Sequence, residues 1–515
     1  MVTGTPHIPT SLPPSPLPHS TKRISYRLNI AFFLFGLLNN SLYVVILTAA
    51  LELLPQGVPT GLVSFANIFP ALIAKAVWPY VLRGEVRYAK RVWSCAGLSF
   101  VGMLLVSFFP KLGMRLLGIS LASFSSGLGE LTFLQLSTRY APKAQEKRLG
   151  GVPVAAVAGA GLETNFAGDA VGWFASGTGA AGLVGAAAWW VVRPLGVQTG
   201  MAILSVLPGF MVLAYVVVLP SVEQLLGGGG GKSAAEYAPV ATEDDANGRG
   251  SLDDAGEADE TADNGDDEDD AEVPTATPNF RVRLTFQEKM SLLRPMLLPY
   301  IIPLVIVYAM EYTINQGIAP TLIYPLPTRE THPLLSLIVK KLTDYYPLYQ
   351  LVYQTFVFLS RSSISIFKLP PIPRRWLWAP AVLQTGLLAV LMTESLFAWF
   401  RSSIASPLVI VLICVEGLAG GGAYVSVFYS IGVDARGEEK NVIALPRAEE
   451  EGNGESAEDQ AYRLAKKAQE HEFRIGCVGF GDSLGILAAS LISMPLQVSL
   501  CNSQVRSGRD LCKQT

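Results

Sequence analysis

The sequence predicts an all-α polytopic membrane protein with about eleven transmembrane helices arranged as two bundles. Half of its 515 residues are hydrophobic and only 16% are charged, with a mean hydropathy of +0.37. Soluble domains carry about 25% charged residues. Apolar runs of the roughly 20 residues that a bilayer requires recur along the chain. Charge is also segregated. Residues 241–272 are crowded with acids and hold one base, Arg249, so the rest of the chain is basic, with its bases set between apolar runs.

Taken in order, residues 1–25 are rich in Pro, Ser and Thr and lack the apolar core and cleavage site of a signal peptide. They read as a disordered cytosolic tail. Spans follow at about Leu28–Ala50, Gly61–Leu82, Val92–Phe109, Met114–Thr138, Asp169–Val192 and Gly200–Leu219, a six-helix bundle over residues 26–220. The Gly-rich, acidic stretch of residues 221–293 cannot bury enough apolar surface to fold alone and reads as a disordered cytosolic loop. Five more spans, at about Pro295–Ile318, Tyr346–Phe367, Trp376–Phe397, Pro407–Gly432 and Phe473–Leu496, form a second bundle over residues 294–500. Between the seventh and eighth spans, residues 320–344 read as irregular and luminal, with four prolines. Residues 433–472 form a charged cytosolic loop with a short surface helix near Ala457–Glu472, and 501–515 a tail.

Basic residues alternate sides. Lys22, Arg23 and Arg27, then Arg83 to Arg91, Arg139 to Arg148, Arg281 to Arg294, and Arg361 to Arg375 fall on one face. Lys111, Arg115, Arg193, Arg329, Lys340, Lys341 and Arg401 fall on the other. The positive-inside rule then places the N-terminus in the cytosol and, with eleven spans, the C-terminal tail on the opposite face.

Six spans, a long loop and five more resemble the layout of the major facilitator superfamily, whose halves are repeats with a site between them. Two internal matches agree with it. Gly127-Leu128 before Glu130 in span 4 parallels Glu416-Gly417-Leu418 in span 10, and Phe174 to Gly179 in span 5 parallels Phe480 to Gly485 in span 11. The Gly- and Arg-rich signature of ordinary facilitators between spans 2 and 3 is absent; the loop reads Leu82-Arg83-Gly84-Glu85-Val86-Arg87.

Ionisable residues at membrane depth are costly and mark pathways or partners. Glu130, Glu311, Glu416 and Asp482 are the acids read toward the middle of spans. Facing one cavity, they relay protons or pair a cationic group; taken singly, each is satisfied by a backbone or Arg partner. Glu130 and Glu416 are the pair expected to carry coupling. Arg361 offers a bidentate fork to a phosphate or is a cytosol-facing positive-inside residue. Tyr349 and Tyr353, on one side of span 8, line a substrate path or pack as aromatics. Asn39, Asn40 and Gln316 are cavity hydrogen-bonders or polar glue between helices. Glu288 with Leu292 and Leu293 matches an acidic dileucine sorting pattern, and Tyr237 a tyrosine-based one, both readable by sorting adaptors from the cytosol.

The blocks Leu37 to Val45, Ser125 to Glu130, Ser176-Gly177-Thr178-Gly179, Glu311 to Gly317, Ser360 to Ser363, Glu416-Gly417-Leu418 and Asp482 to Gly485 resemble the battenin (Batten-disease protein) family, in its order and over nearly all spans. The low-complexity insertions suggest a fungal member. The resemblance implies a vacuolar, lysosome-like, multi-pass membrane protein with a facilitator-like fold. It implies transport of a small polar metabolite, a glycerophosphodiester or a basic amino acid, with protons and an influence on vacuolar pH. Ser176 and Thr178 join the pathway candidates through their block. The family's mammalian members end soon after a Leu-Cys like Leu500-Cys501, whereas this chain runs on to Thr515. Cys512-Lys513-Gln514-Thr515 has prenylation spacing but polar middle residues and a predicted luminal position, which argues against lipidation.

Four unclustered histidines and five cysteines without ligand spacing predict no metal, and no cofactor or nucleic-acid partner is expected. No span contains His, and the motifs of an intramembrane hydrolase are missing, so no enzyme is predicted. The rival reading is a membrane scaffold that regulates vacuolar pH or trafficking through its cytosolic loop.

Overall fold

The computed structural model describes residues 19–81, 87–140, 166–221, 284–364, 367–401, 403–444 and 457–514. Eleven long helical segments run through them. The first bundle holds α1 His19–Thr48, α2 Gly61–Val81, α3 Tyr88–Phe108, α4 Leu112–Ser137, α5 Phe166–Val192 and α6 Val197–Val218. The second holds α7 Phe286–Thr321, α8 Tyr345–Arg361, α9 Ala379–Phe397, α10 Ala405–Ala444 and α11 Ala457–Arg506. Among the described residues nine of these are long and apolar enough to cross a bilayer. The two others are α2, whose apolar stretch is Gly61–Val77, and the shorter, tyrosine-rich α8.

Several boundaries differ from the sequence expectation. α1 begins at His19, inside the expected tail. The surface helix near Ala457 and the last span are one continuous helix, because neither Gly nor Pro interrupts the join at Glu472-Phe473. α8 stops at Arg361 instead of Phe367, with Leu369-Pro370-Pro371 just beyond it. The stretch of residues 320–344, expected to be irregular, contains a short helix, Pro333–Ile338.

The packing is that of two related halves. α1 lies along α5 and α2 along α4; in the second bundle α7 lies along α11 and α8 along α10. The halves meet through two reciprocal pairs, α2 with α11 and α5 with α8. Glycines permit these approaches. A Cβ on Gly127 of α4 would sit 2.6 Å from the Ala71 carbonyl oxygen of α2, and one on Gly485 of α11 would sit 2.7 Å from the Val305 oxygen of α7. On α5 the close approach to α1 falls at Gly177, two residues before the Gly179 that the sequence match pairs with Gly485.

The apolar core of the described residues forms three clusters. Ile46, Ala49, Met103, Ile119 and Trp189 of the first bundle join Ile314, Tyr345, Tyr349, Leu391 and Val409 of the second in one cluster. These residues lie toward the far face, away from the N-terminus. Toward the near face, Leu28, Phe32, Phe35, Phe133 and Phe174 form a core of the first bundle alone. A third core, around Tyr300, Leu304, Val427 and Val478 of the second bundle, also takes in Leu47 and Ile68 of the first. The C-terminal tail sits on the far face, where Gln504 Nε2 donates to the Thr321 and Ser395 carbonyl oxygens at 3.0 and 2.9 Å and Arg509 donates to the Leu396 oxygen.

Candidate functional site

The Ser125 to Glu130 run meets three neighbouring helices, α3, α1 and α2. Ser125 Oγ donates to the Cys95 carbonyl oxygen of α3 at 2.6 Å. Asn39 Nδ2 on α1 donates to the Ser126 carbonyl oxygen at 2.9 Å, and Ser126 Oγ returns a bond to the Asn39 oxygen at 3.2 Å. Gly127 admits α2, and Gly129 leaves the space that the Asn39 amide fills. Glu130 then projects toward the other bundle and pairs with Lys75 Nζ of α2 at 2.8 Å. Lys75 also donates across the divide to Ser483 Oγ of α11 at 3.4 Å. Asp482, beside it, lies within electrostatic reach of Lys75, Glu130 and Arg361.

A second network is built inside the C-terminal bundle. Tyr353 Oη donates to Glu311, and Gln384 Nε2 of α9 lies 3.4 Å from the Glu311 carboxylate and 2.8 Å from the Glu416 carbonyl oxygen. Asn315 Nδ2 donates to Glu416 Oε1 at 2.9 Å, and Gln350 Nε2 to Asn315 Oδ1 at 3.1 Å. Glu311 and Glu416 are 2% and 0% exposed, and neither forms an ion pair among the described residues. Glu416 Oε2 has no hydrogen-bond partner among the described residues. Gly420 of α10 leaves the volume the Glu311 carboxylate occupies. A π-helical turn, Ile314–Ile318, sets the side chains of Asn315 and Gln316 in α7; such turns recur at functional sites. Gln316 Oε1 accepts from Tyr346 Oη at 3.3 Å.

Arg361 connects the two networks. Its guanidinium stacks 4.1 Å over the Tyr424 ring and donates to Tyr308 Oη at 2.7 Å. Its Nε is buried without a partner among the described residues, and its stem packs on the bare backbone of Gly179 in α5. Tyr308 contacts the rings of both Tyr312 and Tyr424. Tyr43 of α1 lies within electrostatic reach of Tyr308, Tyr312 and Asp482. Residues of α1, α2 and α4 and of α7, α8, α10 and α11 thus come together between the bundles.

Of the sequence candidates, Glu130, Asp482 and Arg361 meet there, and Glu311, Glu416, Tyr353 and Gln316 form the adjoining network. Asn39 is a helix-to-helix tie. Tyr349 is wholly buried and donates to the Leu322 carbonyl oxygen, outside both networks. Asn40 and Thr178 bond back to their own helices, to the Gly36 and Ala175 oxygens, and Ser176 is half-buried on α5. Sequence reasoning did not single out Lys75, Tyr308, Tyr312, Tyr424, Asn315 or Gln384. Lys75 carried a signal, a base inside an apolar span. Glu394 of α9 is a further acid within a span; it accepts from Tyr324 Oη at 3.0 Å and the Phe400 amide at 2.9 Å, fixing the left-handed turn at Ala398.

The family model for the CLN3 protein matches residues 30–164 and 157–503. The chain belongs to the CLN3, or battenin, family. This battenin is 76% identical over 521 residues to Protein BTN1 of Mycosarcoma maydis, covering 100% of this chain and 94% of that one. It is 41% identical to Protein BTN1 of Cryptococcus neoformans, covering 97% and 98%. Among solved structures, the nucleoside transporter NupG is similar with a TM-score of 0.46 at 13% identity, over 95% of this chain and 98% of that one.

The battenin's other candidate positions lie at its edges. Glu288 closes a capping box with Thr285 at the start of α7 and pairs with Lys466 of α11. Leu292 and Leu293 continue the same helix, and Tyr237 lies outside the described residues. Cys512 is disulfide-bonded to Cys501. Among the described residues no group of three or more His, Cys, Asp or Glu is placed to hold a metal.

Proposed function

We propose that this battenin is a transporter of the vacuolar, lysosome-like membrane that moves a small polar metabolite by alternating access of its two bundles. One observation carries the reading: charged and aromatic side chains from both bundles, Lys75, Glu130, Arg361, Tyr424 and Asp482, converge between the bundles within the apolar spans. Charges at that depth are retained where they line a pathway. The Arg361 fork and the tyrosine faces suit a phosphodiester, and the acids beside Lys75 suit an amine, so a glycerophosphodiester or a basic amino acid fits. The near face, with the N-terminus, is the cytosolic side.

Glu311 and Glu416 are the proton-holding pair in this reading. Two buried carboxylates within reach of each other do not readily both ionise. The Gln384 amide meets the Glu311 carboxylate and the Glu416 carbonyl oxygen, the Asn315 amide meets the Glu416 carboxylate and the Glu311 carbonyl oxygen, and among the described residues no cation is bonded to either carboxylate. Glu130, whose charge Lys75 balances, serves the substrate path. Proton movement through the pair links transport to vacuolar pH.

The test compares metabolites in vacuoles with and without the protein, followed by uptake of the changed species into vesicles containing purified protein. Uptake that Arg361→Ala abolishes and that survives deletion of residues 225–280 supports transport. Loss of the vacuolar phenotype on that deletion, with no uptake by the intact chain, would instead support the scaffold.

A further inference from the structure

The far face holds a cluster that the central site does not use. Arg193, just beyond α5, donates through Nε to Glu52, just beyond α1. Through Nη1 it donates to Asp344 Oδ1 at 2.6 Å, and through Nη2 to the carbonyl oxygen and hydroxyl of Thr343, both at 3.2 Å. Asp344 opens α8, in the other bundle. Each partner is fixed to its own side. Glu52 holds the guanidinium on the first bundle, and the Lys340 and Lys341 amides each donate to Asp344 Oδ2 at 2.8 Å on the second. Lys341 is also within electrostatic reach of Glu52, and Arg115 donates to the adjacent Leu53 oxygen at 2.8 Å.

Among the described residues, most of the hydrogen bonds between the bundles lie at this end. Thr60 of the α1–α2 turn donates through its hydroxyl to the Gln316 oxygen and through its amide to Gln497 Oε1, at 2.6 and 2.8 Å. Tyr346 Oη donates to the Leu47 oxygen at 3.1 Å. The fused core lies beneath them, whereas toward the near face the first bundle's core is its own and the second bundle's takes in Leu47 and Ile68 of the first. The conformation is closed at the far face. Arg193 is the charged member of that closure, and a planar guanidinium fork meets several acceptors at once in one geometry only. The three side chains are 16%, 20% and 11% exposed. A nearly buried ion pair adds little net stability, because desolvation offsets its attraction, yet removing one partner is costly. Those energetics suit a closure that opens and re-forms.

We infer that Arg193, held by Glu52 and engaging Asp344 and Thr343, is the latch that closes the luminal gate of the transport cycle. The inference rests on the alternating-access reading above. It is tested in the full chain by pulsed electron–electron distance measurement between spin labels at Gln56→Cys and Thr331→Cys, two exposed positions on the far face of opposite bundles. Chain lacking the added cysteines serves as background. Arg193→Gln and Asp344→Asn are expected to shift the distribution to longer distances, and Lys111→Gln, an exposed base on the same face, to leave it unchanged. Arg193→Lys, which keeps charge without the fork, replaces Arg193→Gln if the latter does not fold. Unchanged distances in the folded variants, or an equal shift with Lys111→Gln, overturn the latch. Vesicle uptake is measured in parallel. Uptake by the wild type with no distance shift removes the latch alone, whereas a shift without uptake in any form removes the transport reading.

Discussion

Gly127 on α4 and Gly417 on α10 hold matching places in the two bundles. A Cβ on either would come within 2.6 Å of a carbonyl oxygen on the neighbouring helix, that of Ala71 on α2 for one and of Tyr353 on α8 for the other. The backbone on the far side of each contact cannot swing away as a side chain would. Gly127→Ala and Gly417→Ala are therefore expected to destabilise the protein by about 1–3 kcal/mol through overpacking. Gly97→Ala on α3, with open space around it, is expected to be neutral or to gain up to about 1 kcal/mol in helix propensity. Thermal unfolding of the three variants in detergent checks this, and equal behaviour of Gly127→Ala and Gly97→Ala would refute it.

Lys75 and Glu130 depend on each other. Each is largely shielded from water, and each removed alone leaves its partner's charge at membrane depth. A double-mutant cycle with Lys75→Met and Glu130→Gln is expected to show a coupling energy of about 0.5–3 kcal/mol, the double variant being less destabilised than the sum of the singles. Strict additivity in the unfolding midpoints would show that the pair contributes no mutual support.

The spans were legible because a bilayer imposes a length and a polarity on every helix that crosses it. The internal match at Gly127 and Gly417 was legible for a related reason: close helix approach leaves few residue choices. Partnerships were not. Lys75 and Glu130 are separated by a whole intervening helix, and nothing in either span says that α2 turns its lysine to α4. The π-helical turn at Ile314–Ile318, which sets Asn315 toward Glu416, follows from tertiary packing and leaves no local composition signal. Tyr349 and Tyr353 lie one turn apart on the same side of α8, yet one bonds the α7–α8 connection and the other Glu311. Arg193 read as a loop charge because its partners, Glu52 and Asp344, come from two distant connections.

Glu416 separates proton handling from folding. Its Oε1 accepts from Asn315 and its Oε2 has no partner among the described residues, so an amide in its place keeps the shape and the accepted bond. Glu416→Gln is expected to unfold at nearly the wild-type temperature while the pH dependence of vesicle uptake flattens. Glu130→Gln is expected to do the reverse, lowering stability by stranding Lys75 and leaving the pH profile in place. A pH profile unchanged by Glu416→Gln, with expression and melting normal, would exclude Glu416 from coupling.

Cys512 is taken up by its bond to Cys501, which ties the tail back to the end of α11. A sulfur so engaged cannot form the thioether of a prenyl chain. Mass spectrometry of protein isolated without reductant is expected to find the two peptides linked, and Cys512 to react with a thiol probe only after reduction. A prenylated Cys512 peptide would contradict the bond.

Arg361 supplies the sharpest test of substrate charge. Lysine at this position keeps the charge and loses both the flat stack on Tyr424 and the fork that reaches Tyr308. The stack alone accounts for about 0.5–2 kcal/mol, and a charge-assisted hydrogen bond for about 1.5–3 kcal/mol. If an anionic group of the substrate is held by the remaining guanidinium donors, Arg361→Lys is expected to raise the KM for uptake by about tenfold or more, since about 1.4 kcal/mol corresponds to a factor of ten. A cationic substrate that the acids hold is expected to respond oppositely, with Arg361→Lys nearly silent and Asp482→Asn raising KM. Uptake kinetics of both variants on the same substrate therefore separate an anion-led from a cation-led mode. A KM unmoved by either change would place recognition away from these residues.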